Sequence, residues 1–138
     1  PITRTFESKK QKGAEVDLSS VFANNVKKAV RTVILDKKDH LEVTDRLQTG
    51  DKEATVSWIM VTPAEAKITG KNRMELTKDG RRMLLTVDAD TEVEMKTWSN
   101  VPPHEYDFRN PGTIRVGFET VIPANRASQL KVRLIPLK

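Results

Sequence analysis

Apolar and polar residues alternate with a period of two along most of this chain. In the segment EATVSWIMV, one face carries Ala54, Val56, Trp58 and Met60. The same alternation recurs in RRMLLTVDA, TIRVGFETVI and QLKVRLIPL, which begin at residues 81, 113 and 129. Since successive side chains of a strand point to opposite sides, this period is typical of antiparallel strands with one face toward a core.

Short turn signals separate the alternating runs. Asp79-Gly80 lies between two of them and predicts a tight β-hairpin, because both residues tolerate positive φ. The stretch AVRTVILDKKDHLEVTDRL, residues 29–47, predicts a second hairpin with its turn at residues 37–39. We therefore expect an all-β chain: a single antiparallel β-sandwich domain, residues 1–138, of about eight to ten strands.

Two segments break the alternation. DLSSVFANNVKKAV, residues 17–30, favours a helical turn or a loop, with Asp17 or Ser19 as a cap. SNVPPHEYDFRNPGT, residues 99–113, contains three prolines and predicts a long loop. Loops of that length often serve a function.

Composition excludes several classes of site. The chain has no cysteine and only two histidines, His40 and His104, so neither a thiol site nor a multi-histidine metal site is expected. We predict no metal and no cofactor. No apolar run approaches the about 20 residues that cross a bilayer, so no membrane partner is expected. Because the first residue is Pro1 rather than Met, we expect a processed or excised chain.

The net charge of +5 is compatible with polyanions as partners, although solubility is its ordinary explanation. Lysines and arginines occur in scattered clusters that are interspersed with Asp and Glu. They lack the aromatic signature of RNA-binding domains, so we do not predict a nucleic-acid partner.

Familiar catalytic motifs are missing from the sequence. The pairs Asp88/Asp90 and Glu92/Glu94 could act as acid and base, or could be solvated residues on turns and strand faces. The solvated interpretation is the ordinary one. We therefore predict no catalytic residue in this chain.

The best candidates for glycan binding are Trp98, His104, Tyr106 and Arg109. Aromatic faces stack on sugars, and arginine holds carboxylates or sulfates. The alternatives are that the loop simply packs its aromatic residues against the sandwich, and that Trp98 covers a core edge. Trp98 shares its parity with Glu94 and Lys96, which favours an outward position, whereas Trp58 is expected in the core.

A succession of short motifs carries a family resemblance. In order they are AEVDLSSVF, VKKAVRTVIL, LEVTDRL, VSWIMVTPAEAKITG and MELTKDGRRMLLTV, across residues 14–90. This series resembles the C-terminal β-sandwich region of heparinase II/III-type polysaccharide lyases. Two positions depart from the family: Val61 replaces a histidine that can serve a structural metal, and Phe22 replaces a common tyrosine.

The resemblance implies an exported bacterial lyase with an α-helical toroid that precedes the sandwich, and so a periplasmic or extracellular location. Such lyases act on acidic glycans by β-elimination, with tyrosine and histidine from segments that do not match this sequence. In that frame Asp45 and Arg46 are expected to close a strand, with the carboxylate holding an adjacent turn.

The sequence thus favours a noncatalytic β-sandwich of a larger lyase, whose partners are its N-terminal catalytic domain and an acidic polysaccharide. Two alternatives stay open: a free-standing carbohydrate-binding module, and a structural or interaction domain without glycan affinity. The sequence leaves the oligomeric state open.

Overall fold

A computed structural model describes residues 1–100 and 111–138 of the chain. These residues form eleven strands and no helix. The strands are β1 (Ile2–Glu7), β2 (Gln11–Asp17), β3 (Lys28–Asp36), β4 (Leu41–Gln48), β5 (Ala54–Thr62), β6 (Glu65–Gly70), β7 (Arg73–Lys78), β8 (Arg81–Ala89), β9 (Val93–Ser99), β10 (Ile114–Ile122) and β11 (Ala127–Leu137).

The strands form two antiparallel sheets. The larger sheet has eight strands in the order β1-β2-β3-β4-β11-β8-β7-β6, and the smaller has three in the order β5-β10-β9. The all-β sandwich predicted from the alternation is confirmed. Its sheets are unequal in size, so the small sheet faces only part of the large one.

The core lies between the sheets and consists of the apolar sets that the alternation predicts. Trp58 on β5 is 7% exposed and stacks on Phe118 of β10, with ring centroids 6.1 Å apart and planes at 6°. The core position expected for Trp58 is confirmed. The large sheet supplies the facing residues, which are Val43, Met74, Leu76, Leu85, Val87, Leu130, Val132 and Leu134.

Both predicted hairpins are present. β7 and β8 are joined at Asp79 and Gly80, whose φ values are 52° and 76°. β3 and β4 pair from Lys28 opposite Gln48 to Leu35 opposite Leu41. The turn between them contains Asp39 with φ 60° and is held by the carboxylate of Asp36.

Strands β1 and β2 were not predicted from the sequence. Their residues are largely charged or polar, and most positions of β1 are exposed, because this strand forms the edge of the large sheet. An edge strand tolerates polar residues on both faces, so the sequence of β1 loses the clear alternation. These two strands bring the total to eleven rather than eight to ten.

The segment between β2 and β3 forms a turn, as one of the two predicted alternatives stated. The N–H of Phe22 donates to the carbonyl of Leu18, and that of Val26 donates to the carbonyl of Phe22, 2.9 Å away. The carboxylate of Asp17 caps this turn by accepting the N–H of Ser19 at 2.9 Å. Hydrogen bonding from Ser19 lowers the pKa of Asp17 below its usual value.

Candidate functional site

The outer face of the small sheet, which points away from the core, carries the one predicted glycan-binding residue that the described ranges include. On β9, Val93 and Met95 enter the core, while Glu94 and Lys96 point outward. Trp98 shares the outward parity and is half-buried. Trp98 thus lies on the outward face with Glu94 and Lys96 but is not fully exposed, and its role in binding stays a prediction.

Arg115 is the direct neighbour of Trp98 on the adjacent strand, since the two residues are register partners of β10 and β9. Its Nε and Nη2 donate to the carbonyl oxygen of Ser99 at 3.2 and 2.9 Å. Among the described residues, no carboxylate forms an ion pair with Arg115. By contrast, the outward Lys96 is neutralised by Glu119, with Nζ and Oε2 3.2 Å apart.

Aliphatic side chains complete this surface on the other side of β10. Val61 of β5 is the register partner of Arg115, and Ile59 lies one outward position along the same strand. They are 48% and 45% exposed. An aliphatic side chain offers no metal ligand, so Val61 cannot replace the family histidine in that role. We call Trp98, Arg115, Val61 and Ile59 the outer-face site.

The other predicted glycan-binding residues, His104, Tyr106 and Arg109, lie outside the residues that the structure describes. Their proposed roles stay predictions. The same holds for most of the predicted loop at residues 99–113.

The acidic pairs have structural or solvated surroundings. The carboxylate of Asp90 accepts a hydrogen bond from the hydroxyl of Ser128. Glu92 is 91% exposed and forms an ion pair with Lys71, with Oε1 and Nζ 3.5 Å apart. Glu94 is 76% exposed. This geometry favours the solvated interpretation of the pairs over an acid-base role.

His40 lies at the turn between β3 and β4. Its Nδ1 is 3.6 Å from Oδ2 of Asp36, and the histidine side chain is 40% exposed. In the part of the chain that the structure describes, no three acidic or histidine side chains lie close enough to hold a metal ion. Residues 1–100 and 111–138 include no helix long and apolar enough to cross a membrane.

The role predicted for Asp45 is wrong. β4 continues past it to Gln48, and its carboxylate contacts Arg31 of β3 rather than a turn. Nε and Nη2 of Arg31 donate to the two oxygens of Asp45 at 2.7 and 2.8 Å. These hydrogen bonds raise the pKa of Arg31, and the pair joins the two strands of the hairpin formed by β3 and β4.

Arg115 was missed by the sequence reasoning. Alternation places it on an outward face, but the pairing of β9 with β10 brings it next to Trp98. Sixteen positions separate Arg115 from Ser99, whose carbonyl holds its guanidinium. No short-range motif links residues at such a separation.

Comparisons with solved structures reveal where this fold occurs. A crystal structure of heparinase III superposes with a TM-score of 0.75 at 14% identity, and the match covers 99% of this chain. This chain has the fold of part of heparinase III. The match spans only 21% of that protein's length.

Other structures share the fold. Heparan sulfate lyase HepC from Pedobacter heparinus matches with a TM-score of 0.66 and 16% identity, over 100% of this chain and 22% of HepC. The protein HI1317 matches with a TM-score of 0.63 and 10% identity, over 99% of this chain and 64% of its own. No family model and no curated protein matches the sequence. Because one fold can host different functions, these likenesses establish architecture alone.

Proposed function

We propose that this chain is a noncatalytic β-sandwich region of a heparinase II/III-like polysaccharide lyase that acts on acidic, uronate-containing glycans by β-elimination. The observation that carries the proposal is the match to heparinase III over 99% of this chain and only 21% of that protein. In this proposal the chemistry belongs to an N-terminal catalytic domain, and the sandwich supports it in the periplasm or outside the cell.

The surroundings of His40 support a noncatalytic role for the described residues. β-Elimination requires a base that removes the proton next to the uronate carboxylate, and positive charge or hydrogen bonds that stabilise the resulting anion. Among the described residues the histidine is His40, which lies on a turn beside Asp36. The chain's one tyrosine, Tyr106, lies outside them. The described residues therefore present no histidine–tyrosine pair.

The first experiment measures lyase activity of the purified chain. Heparan sulfate and alginate are incubated with it, and the ultraviolet absorbance of unsaturated uronate ends is followed, with HepC from Pedobacter heparinus as the positive control. We expect no product from this chain. Release of unsaturated ends would contradict the noncatalytic role.

A second experiment measures the size of the protein that contains this sequence in its own cells. An antibody raised against the chain should detect a polypeptide several times heavier than 15.6 kDa, because heparinase III is about five times longer than the matched region. A band at 15.6 kDa alone would contradict the lyase proposal and favour a free-standing module.

A second candidate function is carbohydrate binding by the sandwich itself. The observation that favours it is the outward position of Trp98 beside Arg115. The net charge of +5 is consistent with an acidic polysaccharide as the ligand. His104, Tyr106 and Arg109 are further candidates for this function on sequence grounds.

A further inference from the structure

We propose that the outer-face site binds an acidic sugar, with Trp98 stacking on a pyranose ring and Arg115 pairing with its carboxylate or sulfate. This inference rests on the proposed glycan-contacting role and adds to it the ligand chemistry and a specificity residue, Arg115. The supporting observation is the direct pairing of these two residues across β9 and β10.

The side chains of Trp98 and Arg115 are close enough to contact the same sugar residue. Side chains directly opposite each other on antiparallel strands have Cβ atoms about 4.5–5.5 Å apart. A pyranose ring is comparable in width to that separation. A ring stacked on the indole of Trp98 therefore places its substituents within reach of the guanidinium of Arg115.

The guanidinium of Arg115 is held in one orientation, and three of its N–H groups remain for a ligand. Two of its five N–H groups donate to the carbonyl of Ser99, which fixes its position against the end of β9. The remaining three N–H groups can donate to an anionic oxygen. Arginine bound in this way suits carboxylate and sulfate, which accept two parallel hydrogen bonds.

Charge distinguishes Arg115 from the other cation of this face. The ammonium of Lys96 is already neutralised by Glu119, 3.2 Å away, and lies 3.9 Å from Glu94. Arg115 forms no ion pair with the described carboxylates. Of these two cations, Arg115 is therefore the one whose charge no described carboxylate offsets, so an anionic ligand would gain more beside Arg115 than beside Lys96.

The apolar side chains next to Arg115 widen the contact surface. Val61 and Ile59 are 48% and 45% exposed, so a second sugar residue could rest on them across β10. Covering exposed aliphatic side chains with the apolar face of a sugar removes them from water and favours binding. The predicted ligand is thus an acidic oligosaccharide rather than a free anion.

The test uses tryptophan fluorescence of the whole chain. Trp58 is 7% exposed in the core, so the fluorescence that a neutral quencher such as acrylamide reaches comes mainly from Trp98. Heparan sulfate oligosaccharides, their desulfated form and neutral dextran oligosaccharides are titrated at low and at physiological salt. We expect both acidic ligands to protect Trp98 from quenching and dextran to give no protection.

Variants separate this site from general attraction by charge. The affinity of each variant is measured by isothermal titration calorimetry, because Trp98→Leu removes the fluorescent reporter. Arg115→Gln and Trp98→Leu should each weaken binding by about tenfold. Arg133→Gln removes the same charge from the other sheet, where Arg133 pairs with Glu42, and should leave the affinity within about twofold of wild type. Thermal unfolding of each variant checks that the fold persists, and Arg115→Gln serves if Trp98→Leu unfolds.

The outcomes decide the proposal. Protection by the sulfated ligand alone would assign the site to sulfate, and protection by both would assign it to the uronate carboxylate. Equal binding by wild type and Arg115→Gln would overturn the site, as would a wild-type chain that binds none of the ligands. Neither negative result alters the expected size of the parent protein or the absence of product, so failure of the site is distinguishable from failure of the proposed function.

Discussion

Gly117 offers the sharpest prediction on the stability of this fold. It lies on the central strand of the small sheet, opposite Ile59, with a φ of 156° that L-residues with a side chain rarely adopt. A Cβ added there would lie 1.8 Å from the carbonyl oxygen of Trp58. We expect Gly117→Ala to destabilise the protein severely.

The magnitude follows from that distance. A carbon and a carbonyl oxygen need about 3.3 Å, so β10 and β5 would have to separate by about 1.5 Å. That shift would break ladder hydrogen bonds between strands that are normally about 4.8 Å apart. Backbone strain of about 1–3 kcal/mol and overpacking of about 1–3 kcal/mol give a total loss of about 2–6 kcal/mol. A domain of this size is stable by only about 5–15 kcal/mol.

Urea unfolding followed by tryptophan fluorescence measures this loss, because Trp58 contacts the substituted position. Gly50→Ala is the matched control: its added Cβ would meet only Lys27, at ordinary distances of 3.6 and 3.8 Å. The control should change the free energy of unfolding by less than about 1 kcal/mol. A Gly117→Ala variant within about 1 kcal/mol of wild type would refute the reasoning.

Two further predictions concern the hairpin of β3 and β4. Arg31→Ala should lower the free energy of unfolding in urea by about 1–3 kcal/mol, and by more than Asp45→Ala does. The Asp45 side chain is 12% exposed and the Arg31 side chain 39%, so Arg31→Ala leaves the more buried of the two charges without its partner. A larger loss of stability in Asp45→Ala than in Arg31→Ala would contradict this prediction. The N–H groups of His40 and Lys38 donate to the carboxylate of Asp36 and lower its pKa below the usual 3.8. The contribution of this carboxylate to folding stability is therefore complete above pH 3.8 and is lost as the pH falls through its lower pKa in the folded protein. The difference in melting temperature between wild type and Asp36→Asn should shrink below about pH 4. A difference that stays constant with pH would contradict the role of the Asp36 carboxylate.

The periodicity was sufficient to predict the interior of the sandwich. Trp58 and Met60, or Leu130 and Val132, alternate with polar residues, and burial of the apolar set requires the strand conformation whatever the pairing. Turn chemistry was equally local: Asp79-Gly80 adopts the positive φ values that its residue types permit. These features depend on neighbours within a few positions, so the sequence contains them.

The pairing of strands that are distant in the sequence could not be predicted from such local features. β4 pairs with β11, so Gln48 lies opposite Ala127, and nothing local in either segment specifies that choice. The polar strands β1 and β2 were missed because pairing, of β1 with β2 and of β2 with β3, rather than burial holds them extended. Asp45 was assigned to a turn because its register partner Arg31 was unknown.

The candidate site likewise has one residue whose direction is set locally and one whose position depends on the tertiary structure. The sequence by itself determined that Trp98 would point outward with Lys96, since parity along one strand is a local property. Only the tertiary structure placed Arg115 beside it, because the register between β9 and β10 is fixed by the packing of Val116, Phe118 and Met95 in the core. Side-chain direction is encoded within a strand, whereas neighbours across strands are chosen by the burial of the whole sheet.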